Sequence, residues 1–343
     1  MMQKNDLWKY CTTKQYLDML LSFKLLGRNW PDEKVIACLY AVSNHVERHY
    51  REVHIPKRDG SVRKLLVPDP LLKEIQKNIL HHILYGMQIS DYATAYYPGR
   101  NILNNAAPHV GKSKILKLDM KDFFGNILFY MVLKSAFSNR YFPPPVGTLL
   151  TYLCCYEDYL PQGSPTSAAI SNLVMRPFDD YMGTWCGERG ISYTRYCDDM
   201  TFSGDMDENE VRRKVFFYLR AMGFCLNEKK TRTLTVSQRQ SVTGIVVNEK
   251  PQVSKEYRKK LRQEIYYCAH FGVISHLERS GYTEYLKMEG QGAQKYLSSL
   301  LGKVDFVLQV NPEDRRYAEE KKRVIAMIKQ LQTGNDKGRL LNE

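Results

Sequence analysis

The sharpest alternation of apolar and polar positions runs through Lys114-Ile-Leu-Lys-Leu-Asp-Met120. Leu116, Leu118 and Met120 fall on one face and Ile115, Lys117 and Asp119 on the other, the period of a strand packed by its leucines and ending in a carboxylate. Lys121-Asp-Phe-Phe-Gly-Asn126 follows as a turn. Ile191-Ser-Tyr-Thr-Arg-Tyr-Cys-Asp-Asp-Met-Thr-Phe-Ser203 sets β-formers on both sides of Asp198-Asp199, which predicts strand, tight turn, strand. His54 to Val67 predicts a cation-rich hairpin around an Asp59-Gly60 turn. Helical spacing marks Asp18, Leu21 and Leu25, a segment opened by Pro31-Asp-Glu33, and Leu71 to about Met87. Further on, Tyr257, Leu261 and Ile265 follow a Ser254 cap. Tyr317, Val324, Ile328 and Leu331 line a final helix opened by Asn311-Pro-Glu-Asp314 and stopped at Gly334. Phe142-Pro-Pro-Pro145 reads as a rigid connector or, more simply, as a plain loop. No internal repeat or low-complexity segment interrupts the pattern.

The acidic positions carry the first chemical signal. Two adjacent carboxylates at a hairpin tip repel each other, and a bound cation relieves that repulsion. Mg²⁺ suits the position, since it takes one or two protein carboxylates and completes its shell with waters and substrate phosphates. If the strand ending in Asp119 lies beside the Asp198 hairpin, the acids converge as a two-metal site for in-line displacement at phosphorus. A solvated Asp-Asp turn, and a surface acid after a core strand, are the plain alternatives.

Charge then narrows the partner. The 343 residues carry a net charge of +13 and an isoelectric point of about 9.2, which favours a polyanion. The length allows one large domain or two to three subdomains with real cores. The first residues lack the apolar core of a signal peptide, and the best apolar run, Val146 to Cys155, is too short to span a membrane. Eight cysteines without Cys-x-x-Cys spacing indicate neither zinc nor a disulfide framework. A reduced, cytoplasmic protein without membrane partners is expected. Seven histidines (45, 49, 54, 81, 82, 270 and 276) show no ligand spacing tied to an acid cluster.

Leu118-Asp119-Met-Lys-Asp-Phe-Phe124, Leu160-Pro-Gln-Gly-Ser-Pro-Thr-Ser167, Tyr193-Thr-Arg-Tyr-Cys-Asp-Asp199 and Gly223-Phe-Cys-Leu-Asn-Glu-Lys-Lys230 stand in the order of the reverse-transcriptase palm motifs. Asn105-Ala-Ala-Pro-His109 resembles the Asn-Ala-x-x-His insertion of retron enzymes, and Val242-Thr-Gly244 their Val-Thr-Gly motif. The chain thus resembles a bacterial retron-type reverse transcriptase from about Ile55 onward. Cys197 and Ser164 stand where alanine is usual, and both are small.

The resemblance implies an α+β right-hand polymerase with fingers, an antiparallel-sheet palm and a helical thumb. Expected bounds are an N-terminal helical region over 1–54, fingers over 55–117, palm with interleaved fingers segments over 118–248, and thumb with C-terminal helix over 249–343. It implies nucleotidyl transfer with two Mg²⁺ ions held by Asp119 and Asp198, with Asp199 a ligand or a tuner of the local field. Lys57 and Arg63, with Arg58 as a solvated alternative, would clamp the triphosphate. Phe124 would exclude a 2′-hydroxyl, with Phe123 the core ring unless the two exchange. Gln162 and Gly163 would support the incoming nucleotide, Tyr196 the primer end, and Lys230 or else Lys229 would protonate pyrophosphate. Asn105, His109, Val242, Thr243 and Gly244, with Arg258 and Lys259 on a basic helix, would contact RNA. For Asn105 and His109 the alternative is bracing a loop. Implied partners are a cognate structured noncoding RNA, its cDNA product, deoxynucleoside triphosphates and an effector protein acting against phage. An intron-derived or diversity-generating reverse transcriptase, or a catalytically inert RNA-binding protein of the same fold, are the competing identities. Neither a maturase appendage nor an endonuclease-like metal motif after the thumb is expected.

Overall fold

The computed structural model describes residues 8–27, 29–56, 60–288 and 290–339, with side chains up to 332. The chain divides into two compact units, Met1–Thr235 and Val236–Glu343. None of the described helices is long and apolar enough to cross a membrane.

The first unit opens with α1 (Thr13–Ser22) and α2 (Asp32–Asn44), the latter carrying Asp32 and Glu33 in its first turn. A hairpin of β1 (Tyr50–Pro56) and β2 (Val62–Pro68) follows, then α3 (Pro70–His82), capped by the Asp69 side chain. Lys57, Arg58 and Asp59 of the expected hairpin turn lie outside the described residues. Short α4 (Ile102–Ala106) leads to β3 (Lys114–Asp119). Helices α5 (Phe129–Ser135), α6 (Pro144–Cys154) and α7 (Ser167–Gly187) precede the hairpin of β4 (Ser192–Tyr196) and β5 (Asp199–Ser203). Helix α8 (Glu208–Ala221) and β6 (Arg232–Thr235) complete the unit.

The strands β4, β5, β3 and β6 form one antiparallel sheet in that order. Ile115, Leu116 and Leu118 are buried together with Met200 and Phe202, so apolar residues from both faces of β3 enter the core. The alternating pattern at 114–120 thus forms the expected strand, covered more completely than its polar positions suggest.

The prolines at 143–145 are not a connector. Pro143 stands at the N-cap and Pro144 opens α6, because a first-turn proline lacks only an amide that has no intrahelical partner.

The second unit holds a small sheet, β7 (Ser241–Val242), β8 (Ile245–Val246) and β9 (Gln252–Val253), ahead of five helices. These are α9 (Lys255–Phe271), α10 (Val273–Ser280), α11 (Thr283–Leu286), α12 (Gly292–Val310) and α13 (Arg315–Arg339). Leu261 and Ile265 of α9 are buried, as are Leu297, Leu300 and Val304 of α12 and Tyr317 and Val324 of α13. Gly334 does not stop α13, which runs on to Arg339; a lone glycine costs a helix only about 1 kcal/mol.

Candidate active site

The sheet register places the three acids. Asp119 at the end of β3 pairs directly across from Asp199 at the start of β5, and Asp199 pairs with Tyr196 across the β4–β5 turn. Asp198 stands in that turn, and its carbonyl accepts a 3.1 Å hydrogen bond from the Met120 amide. The turn is possible because Cys197 adopts a left-handed conformation at φ +60°. Adjacency of Asp119 to the acid pair therefore follows from backbone pairing.

Charge is unbalanced there. Burial raises the carboxyl of Asp198, and the nearby Asp119 raises it further. Burial likewise raises Asp199, aided by Asp198. Lys230 answers part of this: its Nζ donates to Asp119 Oδ2 at 2.9 Å. Burial alone would lower the Lys230 ammonium, yet the hydrogen bond and the three aspartates raise it. The other Asp119 oxygen, Oδ1, is buried and has no hydrogen-bond partner.

These features fit a divalent cation. The donors are hard carboxylate oxygens, one is orphaned, and in two of the acids burial and neighbouring carboxylates penalise the ionised form, a cost that a cation would remove. Among the described residues, no three His, Cys, Asp or Glu side chains are drawn together closely enough to hold a metal ion. Lys230 occupies one face of Asp119 in that arrangement.

A cavity of about 530 Å³ opens onto the acids. Asp119 and Asp198 line it together with Arg63, Phe124, Gln162 and Lys230, residues drawn from five separated stretches of chain. Asp122 and Phe123 also reach its wall. Phe123 is the more buried ring and packs, tilted, between Phe124 and Phe224, with centroid distances of 5.3 and 5.8 Å. Tyr196 stands beside the acids, its ring 5.7 Å from that of Tyr96. Of the two candidate lysines, Lys230 is the one that meets Asp119.

Some expected site residues are placed otherwise. Gly163 sits at φ +129°, and a Cβ there would come within 2.6 Å of the Leu66 carbonyl oxygen. Its close approach is thus to β2, whose Leu66 amide donates to the Gln162 carbonyl at 2.9 Å. Asn105 and His109 are buried to within 1 % of full enclosure. His109 bonds Ser203 Oγ at 2.6 Å through Nδ1 and Thr194 Oγ1 at 2.8 Å through Nε2. Asn105 accepts from Thr94 at 2.9 Å. Enclosed side chains cannot touch RNA, so the expectation of direct contact is corrected to an internal brace of β4 and β5.

In the second unit, Val242 is fully buried. Thr243 and Gly244 form the two-residue turn between β7 and β8, at φ +45° and +84°. Lys259 is exposed on α9. Arg258 is not; it lies against α13, 3.9 Å from Asp314, and its carbonyl accepts from the Tyr317 hydroxyl at 2.7 Å.

Sequence reasoning missed Arg195 and Asp179, a fully buried ion pair beneath the acid turn. The available signal was a cation inside a strand between two tyrosines, where a solvated arginine would interrupt a core. Tyr96 was missed as well, and its left-handed φ of +55° is unusual for an aromatic residue.

The sequence pattern described as reverse transcriptase (RNA-dependent DNA polymerase) matches residues 55–261. The chain is 34% identical over 265 residues to the retron Mx65 reverse transcriptase of Myxococcus xanthus, covering 68% of this chain and 62% of that protein. Against the retron Ec86 reverse transcriptase of Escherichia coli it is 29% identical over 270 residues, covering 77% of this chain and 83% of the relative. Against the retron Ec83 reverse transcriptase of the same species the figures are 30% over 262 residues, 70% and 81%.

Proposed function

The chain belongs to the reverse transcriptase (RNA-dependent DNA polymerase) family, in its bacterial retron type, and from that premise we propose that it copies part of a cognate noncoding RNA into a branched RNA–DNA hybrid. The observation that carries this reading is the single cavity joining Asp119 and Asp198 to Arg63, Phe124, Gln162 and Lys230. A pure RNA-binding protein gains nothing from concentrating carboxylates against a polyanion, which weighs against an inert binder.

In this reading Asp119 and Asp198, with Asp199 beside them, would hold two Mg²⁺ ions. The bound ions would supply activation of the priming hydroxyl and neutralisation of charge on the triphosphate. The remaining work falls to positioning and fixed charge. Arg63 offers a planar fork to phosphate oxygens. The Phe124 ring packs beneath the sugar and leaves no volume for a 2′-hydroxyl. Gln162 hydrogen-bonds the incoming nucleotide, and Tyr196 steadies the primer end. Lys230 carries a proton that it can deliver to the departing pyrophosphate, its ammonium held in the charged form by Asp119.

On the same reading residues 55–117 serve as fingers, 118–248 as palm and 249–343 as thumb, with Lys259 and the Thr243-Gly244 turn facing RNA. The priming group is the 2′-hydroxyl of an internal guanosine, the setting is cytoplasmic, and the product works with an effector protein in defence against phage. Sequencing the nucleic acid that copurifies with the protein tests this directly. DNA joined to RNA through a 2′–5′ branch, released by debranching, is the expected result. Unbranched host nucleic acid alone would reject the retron assignment and favour an intron-derived or diversity-generating enzyme.

A further inference from the structure

Beneath the acid turn lies a polar frame that the chemistry above does not use. Arg195 and Asp179 are both fully enclosed and form a two-pronged pair, Nε to Oδ1 at 2.8 Å and a terminal nitrogen to Oδ2 at 2.6 Å. Asp179 on α7 is fixed in turn by the Tyr193 hydroxyl at 2.8 Å. That same terminal nitrogen also reaches Asn172 Oδ1 at 3.2 Å. Arg195's other terminal nitrogen donates to the carbonyl of Cys197 at 2.8 Å.

Such a pair is weak support for stability, because burying two charges costs about as much as their attraction returns. Its placement is more informative. Cys197 is held at φ +60°, a conformation that residues with a Cβ avoid, and it immediately precedes Asp198. The guanidinium bond therefore falls on the one strained residue that aims the Asp198 side chain. Backbone ties fix the other end of Arg195. Its amide donates to the Tyr92 carbonyl at 2.8 Å and its carbonyl accepts from the Thr94 amide at 2.9 Å. Thr94 Oγ1 lies 2.9 Å from both the Arg195 carbonyl and Asn105 Oδ1, its one proton serving either. Asn105 and His109 thus brace the same strand from its far side, which gives the enclosed retron-like segment a physical role.

We propose that Arg195 is a positioning residue, clamped by Asp179 and backed by the Asn105–His109 segment, that fixes the Asp198 carboxylate against Asp119. This rests on Asp198 holding a catalytic cation. Misplacing a reacting group by about 1 Å costs on the order of 100-fold in rate, so loosening the clamp acts on the chemical step and on the cation requirement, leaving RNA affinity alone.

The decisive variant is the double change Arg195→Met with Asp179→Leu, which removes both charges and keeps apolar volume. Arg195→Lys is the second variant, because a lysine nitrogen keeps the charge but cannot span both Asp179 and the Cys197 carbonyl. Each is compared with the wild type for thermal midpoint with and without Mg²⁺, gel-shift affinity for the copurified RNA, and single-turnover extension over a Mg²⁺ series. Expected are a roughly 10- to 100-fold slower step, a higher half-saturating Mg²⁺ concentration, a smaller Mg²⁺-induced rise in midpoint, and unchanged RNA affinity. Wild-type rate and Mg²⁺ response in either folded variant would overturn the proposal, as would a rate loss that merely tracks the unfolded fraction. If the double variant does not fold, Arg195→Lys decides alone. Absence of extension by the wild type itself would instead reject the polymerase reading, and the Mg²⁺-induced midpoint shift would then judge the clamp.

Discussion

The β4–β5 and β7–β8 hairpins both turn through left-handed residues, Cys197 at φ +60° in the first, and Thr243 and Gly244 at φ +45° and +84° in the second. The first carries carboxylates at its tip and stands on a buried ionic and histidine frame. The second carries none from Ser241 to Val246, has the buried Val242 behind it, and ends in an exposed Gly244 around which an added Cβ would meet nothing. A positive φ is thus a local solution to turning the chain and does not by itself announce chemistry. What lies beneath the turn separates a tip that must hold groups still from one free to meet a partner's surface.

The largest effect on this contrast is expected from the frame under the first tip. Burial depresses the His109 imidazole to about 3 from the usual 6.5, with Lys112 and Lys117 adding to the shift. The unfolded chain therefore takes up the proton first. The resulting stability is complete above pH 6.5 and is lost as pH falls from there toward 3, at about 1.4 kcal/mol per pH unit. His109→Gln should flatten the pH dependence of urea unfolding between pH 6.5 and 4. An unchanged slope would mean that His109 is not enclosed as described, and the contrast between the hairpins would weaken.

Next in size is the cavity wall beside the same tip. Phe124→Ala should reduce preference for dGTP over rGTP by about 10- to 100-fold, the scale set by steric fit in an apolar pocket. Loss of selectivity in Phe123→Ala with none in Phe124→Ala would exchange the roles of the two rings.

Smaller effects belong to the second unit. Gly244→Ala forces a Cβ into φ +84° at a cost of about 1 kcal/mol. It should lower preference for the cognate RNA several-fold while leaving extension on a generic primed template unchanged. A matching fall on both templates would make the turn structural. Lys259→Ala should weaken all RNAs alike and reduce the salt-dependence slope by about 1.

Legibility in the sequence followed how local each cause was. The acid hairpin and β3 were readable because alternation and an Asp-Asp pair are local signals, and the palm motifs supplied their order. The prolines at 143–145 and Gly334 misled because each residue has two uses: proline opens helices as well as breaking them, and a lone glycine costs a helix too little to end it. Asn105 and His109 read as partners for RNA because polarity along a chain does not disclose enclosure. Their hydroxyl partners, Thr94, Thr194 and Ser203, lie up to 94 residues away. Arg195 was hidden for the same reason, its counter-charge standing on a preceding helix.

The central claim is that Asp119 and Asp198 do the work of RNA-templated DNA synthesis with bound Mg²⁺. Asp198→Asn removes one charge at the tip and almost no volume, so it should fold normally. Mg²⁺-dependent primer extension on an RNA template, run beside a gel shift for RNA, tests it most directly. The account predicts extension lost by on the order of 1,000-fold with RNA binding intact. Near-normal extension by Asp198→Asn would contradict it.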